Sequence, residues 1–433
     1  MIRSIRAVLF GTFTLRFSTG LTGGLLIYYL ADMERHGGAK IDGFQFGVLQ
    51  ATFYASELLL SPIFGVLSDR LGHHRVMQLG PLFGLVAVLL TGITTNLWLL
   101  GGTRLLEGAS TAASVPSILG FLAMATAQDE ALRGQTSSRF ELATIAGIGA
   151  GTAVAGPVWQ LIGPLGFFLN AGIYVCSLVI YRWFVAAPDR IAAEHQPKHG
   201  ARHYLELLTT SHVWLLAPTW IAINAALGLF TGQTLFQLVN KPAPDVADRF
   251  ADQLLVGRLG PLGVTGGLLL AGVVFVFGLV YWGRRFKDLR RTTIILAGIL
   301  GGFVFVVSAM ALNHSETWDW WFKIPPVVGL AAGLFVLAGA TPAAVGLLAD
   351  MSEPYPDDRG AIMGLYSVFL GLGQIVGALI GGEAARQFAL DGVFVASIIF
   401  MAIALIPLAA LRRYEFRFEE SPGSGPRLSG GTA

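Results

Sequence analysis

The chain has 433 residues, 54% of them hydrophobic and only 13% charged, with 55 glycines and a formal net charge of +2. A soluble protein of that length carries about 25% charged residues, so a water-soluble globular fold is excluded. The net charge itself says little about partners, and no nucleic-acid partner is expected. The apolar residues run continuously rather than alternating, which excludes a membrane β-barrel and leaves an all-α membrane protein.

A helix needs about 20 apolar residues to cross ~30 Å of hydrocarbon. Twelve stretches qualify, at residues 7–31, 44–67, 76–95, 97–123, 139–162, 165–187, 212–236, 263–283, 292–312, 324–348, 361–383 and 392–411. The first is too long for a cleaved signal peptide, and no small-residue cleavage site follows it. Arg3 and Arg6 are expected to hold the N-terminus in the cytoplasm. With twelve spans both termini then lie on that side, where the Lys and Arg residues concentrate as the positive-inside rule requires. The expected location is the plasma membrane.

Between the second and third spans stands Gly65–Arg75, GVLSDRLGHHR. An Asp-Arg pair set between glycines does not lie in hydrocarbon, so this segment reads as a tight, water-exposed hinge. It resembles the loop signature of the major facilitator superfamily, G-x-L-S/A-D-R-x-G-R/K-R/K. Gly65, Leu67, Ser68, Asp69, Arg70 and Gly72 match it. His73 and His74 stand where the family has Arg or Lys, and Arg75 restores part of the basic end. The resemblance implies twelve helices in two six-helix halves related by a pseudo-two-fold axis. It also implies a gating role for Gly65, Asp69, Arg70, Gly72 and Arg75, with Asp69 reaching the start of the eleventh span and Arg133.

Four ionisable residues fall in the middle of first-half spans: Arg16, Glu57, Arg104 and Glu107. Each costs roughly 2.5–3.5 kcal/mol there unless it faces a cavity or a partner. Arg104-Leu-Leu-Glu107-Gly108 resembles a second signature of the same family, R-x-x-Q-G, with Glu107 in place of Gln. In the family that Arg is associated with proton coupling. The chemistry of the residues agrees, because a carboxylate in low dielectric holds its proton unless a cation opposes it. Glu57, Arg104 and Glu107 are therefore the proton-coupling candidates. A permanent Arg104–Glu107 pair that serves only folding is the alternative, and the same holds for Arg16 with Glu57. Glu141 lies near a span end, where headgroup water would solvate it, as does Glu383. The fifth span carries part of an antiporter signature at Gly156-Pro157, with Thr152, Gln160 and Leu161 departing from it. Cys176, the single cysteine, permits no intrachain disulfide, has no metal-ligand spacing, and is expected in a buried small-residue position.

Residues 188–211 break the apolar pattern and read as a cytoplasmic linker between an N-terminal half, 1–187, and a C-terminal half, 212–412. One constant offset aligns Pro116 with Pro342, Arg133-Gly134 with Arg359-Gly360, and Gly147, Gly151 and Gly156 with Gly373, Gly377 and Gly382. Parallel repeats of this kind build such transporters, with a substrate site between the halves. The second half is neutral at mid-span. Asn224, Gln233 and Gln374, together with Arg16, are the substrate-binding candidates, and Tyr28, Tyr54, Trp220, Phe230 and Tyr366 are aromatic ones. Arg284, Arg285, Lys287, Arg290 and Arg291 form a basic patch suited to anionic headgroups. Trp318, Trp320 and Trp321 read as an interfacial belt, and residues 413–433 as a disordered tail.

These features predict a secondary transporter working by alternating access. Proton-coupled export of a small organic molecule is favoured over a proton-coupled importer or facilitator, and over a scaffold without flux. No H-E-x-x-H, G-x-S-x-G or nucleotide-binding loop occurs, so neither an enzyme nor an ATP-driven pump is expected. No cofactor or metal is expected, and the lipid bilayer, a small-molecule substrate and protons are the expected partners of a monomer.

Overall fold

The computed structural model describes residues 2–126, 130–186, 213–244, 246–286, 288–352 and 359–420. Its long helices are α1 (Ile2–Ala31), α2 (Gly43–Leu71), α3 (His73–Ile93), α4 (Leu97–Ala125), α5 (Glu130–Ile162) and α6 (Leu165–Phe184) in the first half. In the second are α7 (Val213–Val239), α8 (Pro261–Arg285), α9 (Arg291–Asn313) and α10 (Trp320–Leu348). A final helical stretch, Arg359–Glu420, is broken at Ala389 into α11 (359–388) and α12 (390–420). Among the described residues ten segments are long and apolar enough to cross a membrane, and the last of them, Ser367–Arg413, runs through both α11 and α12. α1 is not among these ten; it buries Arg16 and a run of hydroxyls. The linker 188–211 and most of the tail lie outside the described residues.

Local chemistry accounts for the helix ends. Asp42 caps α2 by accepting from Gln45 N at 2.8 Å, while its own N–H donates to Gln45 Oε1 at 3.1 Å; this is a reciprocal box that satisfies two otherwise orphaned donors. Asn96 caps α4 in the same spirit, accepting from Trp98 N and Leu99 N. Within the spans, hydroxyls turn back on their own helix, as Thr12 does on Val8 O and Thr22 on Ser18 O. That is how a polar side chain is satisfied where water is absent.

The break at Ala389 (φ 49°, ψ −129°) would leave backbone groups without partners. Gln253, buried in the α7–α8 connection, takes them up. Its Nε2 donates to Phe388 O at 3.0 Å, and its Oε1 accepts from Leu390 N at 3.0 Å and Asp391 N at 3.3 Å.

The two halves repeat the same packing. Gly147 and Gly151 of α5 leave no room for a Cβ against Phe13, Phe17 and Leu21 of α1. Gly373 and Gly377 of α11 do the same against Ile221 and Ala225 of α7. In this correspondence Arg16 beside Gly147 matches Asn224 beside Gly373. Likewise Gly20 against Ile148 matches Gly228 against Gln374. Gly156 then meets Pro261 and Thr265 of α8 across the seam, and Gly382 meets Gly43 and Gly47 of α2. The crossed seam contacts are what a pseudo-two-fold axis between the halves produces. The α1–α7 match runs at a different offset from that of α5 and α11, so a single sequence shift does not reveal it.

Buried side chains gather into one core mainly from the first half, with Phe236 and Val264 joining from the second, and another drawn wholly from the second half. Cys176 is exposed on α6, contrary to the expectation of a buried position. The lipid-facing side of a membrane helix is as apolar as its packed side, so composition does not separate the two.

Candidate functional site

The charged site begins with the packing of α2 on α4. Gly108 sits against the Phe53 carbonyl and Ser56, and Ser56 Oγ donates to Leu105 O at 2.7 Å. One turn away from Gly108, Arg104 is thereby pressed onto α2. Its guanidinium lies 4.7 Å over the Phe53 ring, and Nη2 donates to Gln50 Oε1 at 2.9 Å. Nη1 forms a buried ion pair with Glu107 one turn on. Both residues are about 5% exposed, at 5% and 4%. Arg104 Nε and Glu107 Oε1 are left without hydrogen-bond partners. A buried pair with unused donors and acceptors is held by its surroundings rather than by its own net energy.

Glu57 differs. It lies on α2 seven residues after Gln50, hence on the same helical stripe, and it is half-buried. Among the described residues it makes no ion pair or side-chain hydrogen bond. Arg16, 8% exposed on α1, is its electrostatic neighbour without closing to an ion pair. The structure thus brings Arg104, Glu107 and Gln50 together and leaves Arg16 and Glu57 as a looser set beside them.

Next to these charges a small, partly open cavity lies between the halves. Phe46, Gln50 and Tyr54 of α2 line it from one side, Gly228, Thr231, Gly232 and Gln233 of α7 and Ala378 of α11 from the other. Gln233, 1% exposed, donates from Nε2 to Gly43 O at 2.8 Å, and its Oε1 has no partner. Gln374 is half-buried beside Gly228. Asn224 donates to Trp220 O of its own helix at 2.8 Å and packs on Gly373, so it is turned away from this cavity. Of the aromatic candidates only Tyr54 lines it. Trp220 is in the second-half core, Phe230 packs on Phe305 and Phe394, and Tyr28 stacks on Trp159. The Tyr366 side chain lies outside the described residues. Gln50, Phe46 and Thr231 carry no sequence signature. The seven-residue spacing from Glu57 was the available signal for Gln50.

The cavity is shut at the end where α2 and α8 begin. Gln233 to Gly43, Asn240 Nδ2 to Ile41 O at 3.3 Å, and Thr265 Oγ1 to Ala153 O at 3.0 Å all bridge the halves at the end where α2 and α8 begin. Phe46 and Phe236 stack there at 4.5 Å. Among the described residues no hydrogen bond bridges the halves at the opposite end, which carries Gly65–Arg75.

At that hinge end Gly72 makes the turn with φ +94°, a conformation glycine adopts without steric penalty. Gly65 faces Pro116 of α4. Asp69 is exposed and lies 3.8 Å from His73 Nε2; Arg70 and Arg75 are exposed and form no ion pair among the described residues. The expected partners of Asp69, the first residues of α11 and Arg133, have side chains outside the described set. The two histidines fasten the hinge instead. His73 Nδ1 is 3.0 Å from Ser68 Oγ with its ring on Gly120, and His74 Nε2 is 2.9 Å from Tyr181 O at the end of α6.

One further group converges at the shut end, on the second half alone. His314 Nε2 is 2.9 Å from Asp391 and Nδ1 3.5 Å from Asp252. One ligand atom from each of the three lies within 4.8 Å of the others, and the ring joins the ends of α9 and α12 to the α7–α8 connection.

The family model described as "Major Facilitator Superfamily" matches residues 8–338 and 326–429. The chain is 22% identical to the quinolone resistance protein NorA of Staphylococcus aureus (strain COL), over 94% of both chains. It is 22% identical to multidrug resistance protein 2 of Bacillus subtilis (strain 168), over 79% of this chain and 80% of that one. Among solved structures it resembles the nucleoside transporter NupG, with a TM-score of 0.64, 12% identity, and coverage of 93% of this chain and 98% of the other.

Proposed function

The chain belongs to the major facilitator superfamily, and from that premise we propose that it exports small, lipophilic organic cations in exchange for protons. It is a multi-pass membrane transporter and not an enzyme. The observation that carries the proposal is Glu57. It is the one mid-span carboxylate of the first half without a hydrogen-bonded partner, because Glu107 is committed to Arg104. It also stands near Tyr54, whose ring face attracts cations. A proton and a monovalent cation neutralise Glu57 equally and cannot occupy it together, which is the requirement for exchange. The two resistance-protein relatives, by their names, support export. The NupG likeness supports the fold alone.

In this reading the hinge end is cytoplasmic, and the conformation described takes substrate up from the cytoplasm with the outer seam shut. Asp69, Arg70 and the turn at Gly72 gate the other conformation. The test is purified protein in proteoliposomes holding a pH-sensitive dye, with ethidium as the transported cation. Protons are expected to move against ethidium, and Glu57→Gln to abolish that movement. Protons moving with ethidium would make the protein a symporter and importer; ethidium flux without protons would make it a facilitator.

A further inference from the structure

Glu141 of α5 stands outside the set assigned so far, and its sequence position suggested no more than a solvated helix end. The packing gives it another setting. Gly147 lies directly on Arg16, so α5 and α1 touch at that level. A helical side chain leans toward the N-terminus of its own helix, so the Arg16 guanidinium reaches toward the hinge end. Glu141 lies in that same direction from Gly147. It is also two turns before Ile148, and residues seven apart share a helical stripe. Ile148 is the counterpart of Gln374, which stands beside Gly228 on the wall of the central cavity. Glu141 is therefore on the stripe of α5 that carries Ile148, and it is exposed.

Arg16 acts electrostatically on Glu57 of α2, on Glu141 of α5 and on the Tyr181 hydroxyl of α6. Among the described residues no carboxylate is within ion-pair distance of it, and the nearby α4 carboxylate, Glu107, is taken by Arg104. The second half has lost both members of the arrangement at once. Arg16 is matched by Asn224, bonded to its own helix, and Glu141 by Ser367 at the offset that pairs Gly147 with Gly373.

We propose that Glu141 is a positioning residue of the coupling site, the carboxylate that receives Arg16 when Glu57 is occupied by a proton or a cationic substrate. The proposal rests on the exchange reading above. Its physical basis is that a buried guanidinium whose Glu57 counter-charge has been neutralised is left uncompensated in low dielectric unless a second carboxylate is within reach, otherwise a costly state. Glu141 removes that cost by a side-chain movement of Arg16, with α1 in place. Without Glu141, Arg16 stays committed to Glu57 and opposes its protonation.

The experiment compares wild type, Glu141→Gln, Glu141→Asp and Glu57→Gln in proteoliposomes, with ethidium as substrate and thermal shift as the binding assay. Glu141→Gln is expected to bind ethidium within about twofold of wild type and to lose about tenfold in maximal turnover, with KM little changed. Its half-maximal pH for transport should move down by about one unit, because Glu57 becomes harder to protonate. Glu141→Asp should restore most of the turnover, which a fold defect would not allow. Glu141→Gln turnover within twofold of wild type, with an unmoved pH profile, would overturn the proposal. Wild-type ethidium flux without proton movement would overturn the parent reading instead, so the two failures are separable.

Discussion

At the scale of single residues the first half holds two kinds of charge, and they should respond differently to substitution. Arg104 and Glu107 are almost fully enclosed and bonded to each other. Removing one partner leaves an uncompensated buried charge, so Arg104→Ala or Glu107→Ala alone should cost about 3–5 kcal/mol. The double variant Arg104→Met, Glu107→Leu should recover most of that loss, since no charge remains to be solvated. Thermal unfolding of the purified proteins in detergent measures this, and the double variant melting above both single ones is the expected order. Glu57 is half-buried without a bonded partner, so Glu57→Gln should melt within a few degrees of wild type while proton exchange is lost. The sequence made Arg16, Glu57, Arg104 and Glu107 visible because a charge in an apolar run is conspicuous by type alone. It did not show which charge was paired with which. That depends on Gly108 letting α2 approach α4 and on Gly147 letting α5 approach α1, contacts between residues far apart in the chain. Asn224 shows the converse. It had the right residue type and depth, yet its amide is spent on Trp220 O.

At the scale of elements, helix breaks and close helix approaches set the architecture, and each has a residue that maintains it. Gln253 closes three backbone bonds around Ala389. Gln253→Leu strands those groups in a buried site and should destabilise the second half by about 2–3 kcal/mol. Ala389 has φ +49°, where an L side chain is strained; Ala389→Gly should gain about 1 kcal/mol by relieving it. Opposite shifts of the unfolding midpoint in these two variants would be measured by the same melt. Sequence patterning placed this break within a few residues, between spans ending at 383 and starting at 392. It gave no hint that a glutamine in a distant loop holds it. Spans such as α8 and α9 were legible because each is one uninterrupted apolar run bounded by charges. The helix correspondence was half legible: the fifth and eleventh helices align by one shift, while the first and seventh need another, since connection lengths differ between the halves.

At the scale of the whole molecule, every hydrogen bond between the halves among the described residues lies at one end. The balance between the two conformations therefore depends on how well that end closes, and glycines govern the closure. Gly382 lies on Gly43 and Gly47, and Gly156 lies on Pro261, with backbone atoms where a Cβ would be. A branched side chain at either position cannot be accommodated without separating α2 from α11 or α5 from α8. Under the proposed rocking of the halves as units, Gly382→Val should thus open the shut end and bring the hinge ends together. Gly149, where an added Cβ meets nothing within 4 Å, is the control, and Gly149→Ala should change neither. The exposed Cys176 can be replaced by Ser to give a cysteine-free background. Spin labels at Arg75→Cys and Arg284→Cys, both exposed residues on opposite halves, then report the separation of the hinge ends by pulsed electron resonance. In the Gly382→Val background the mean distance should shorten relative to the parent and to Gly149→Ala. A distribution unchanged by Gly382→Val would mean that closure of the shut end and opening of the hinge end are not mechanically linked, and alternating access by rigid rocking would be the wrong description of this chain.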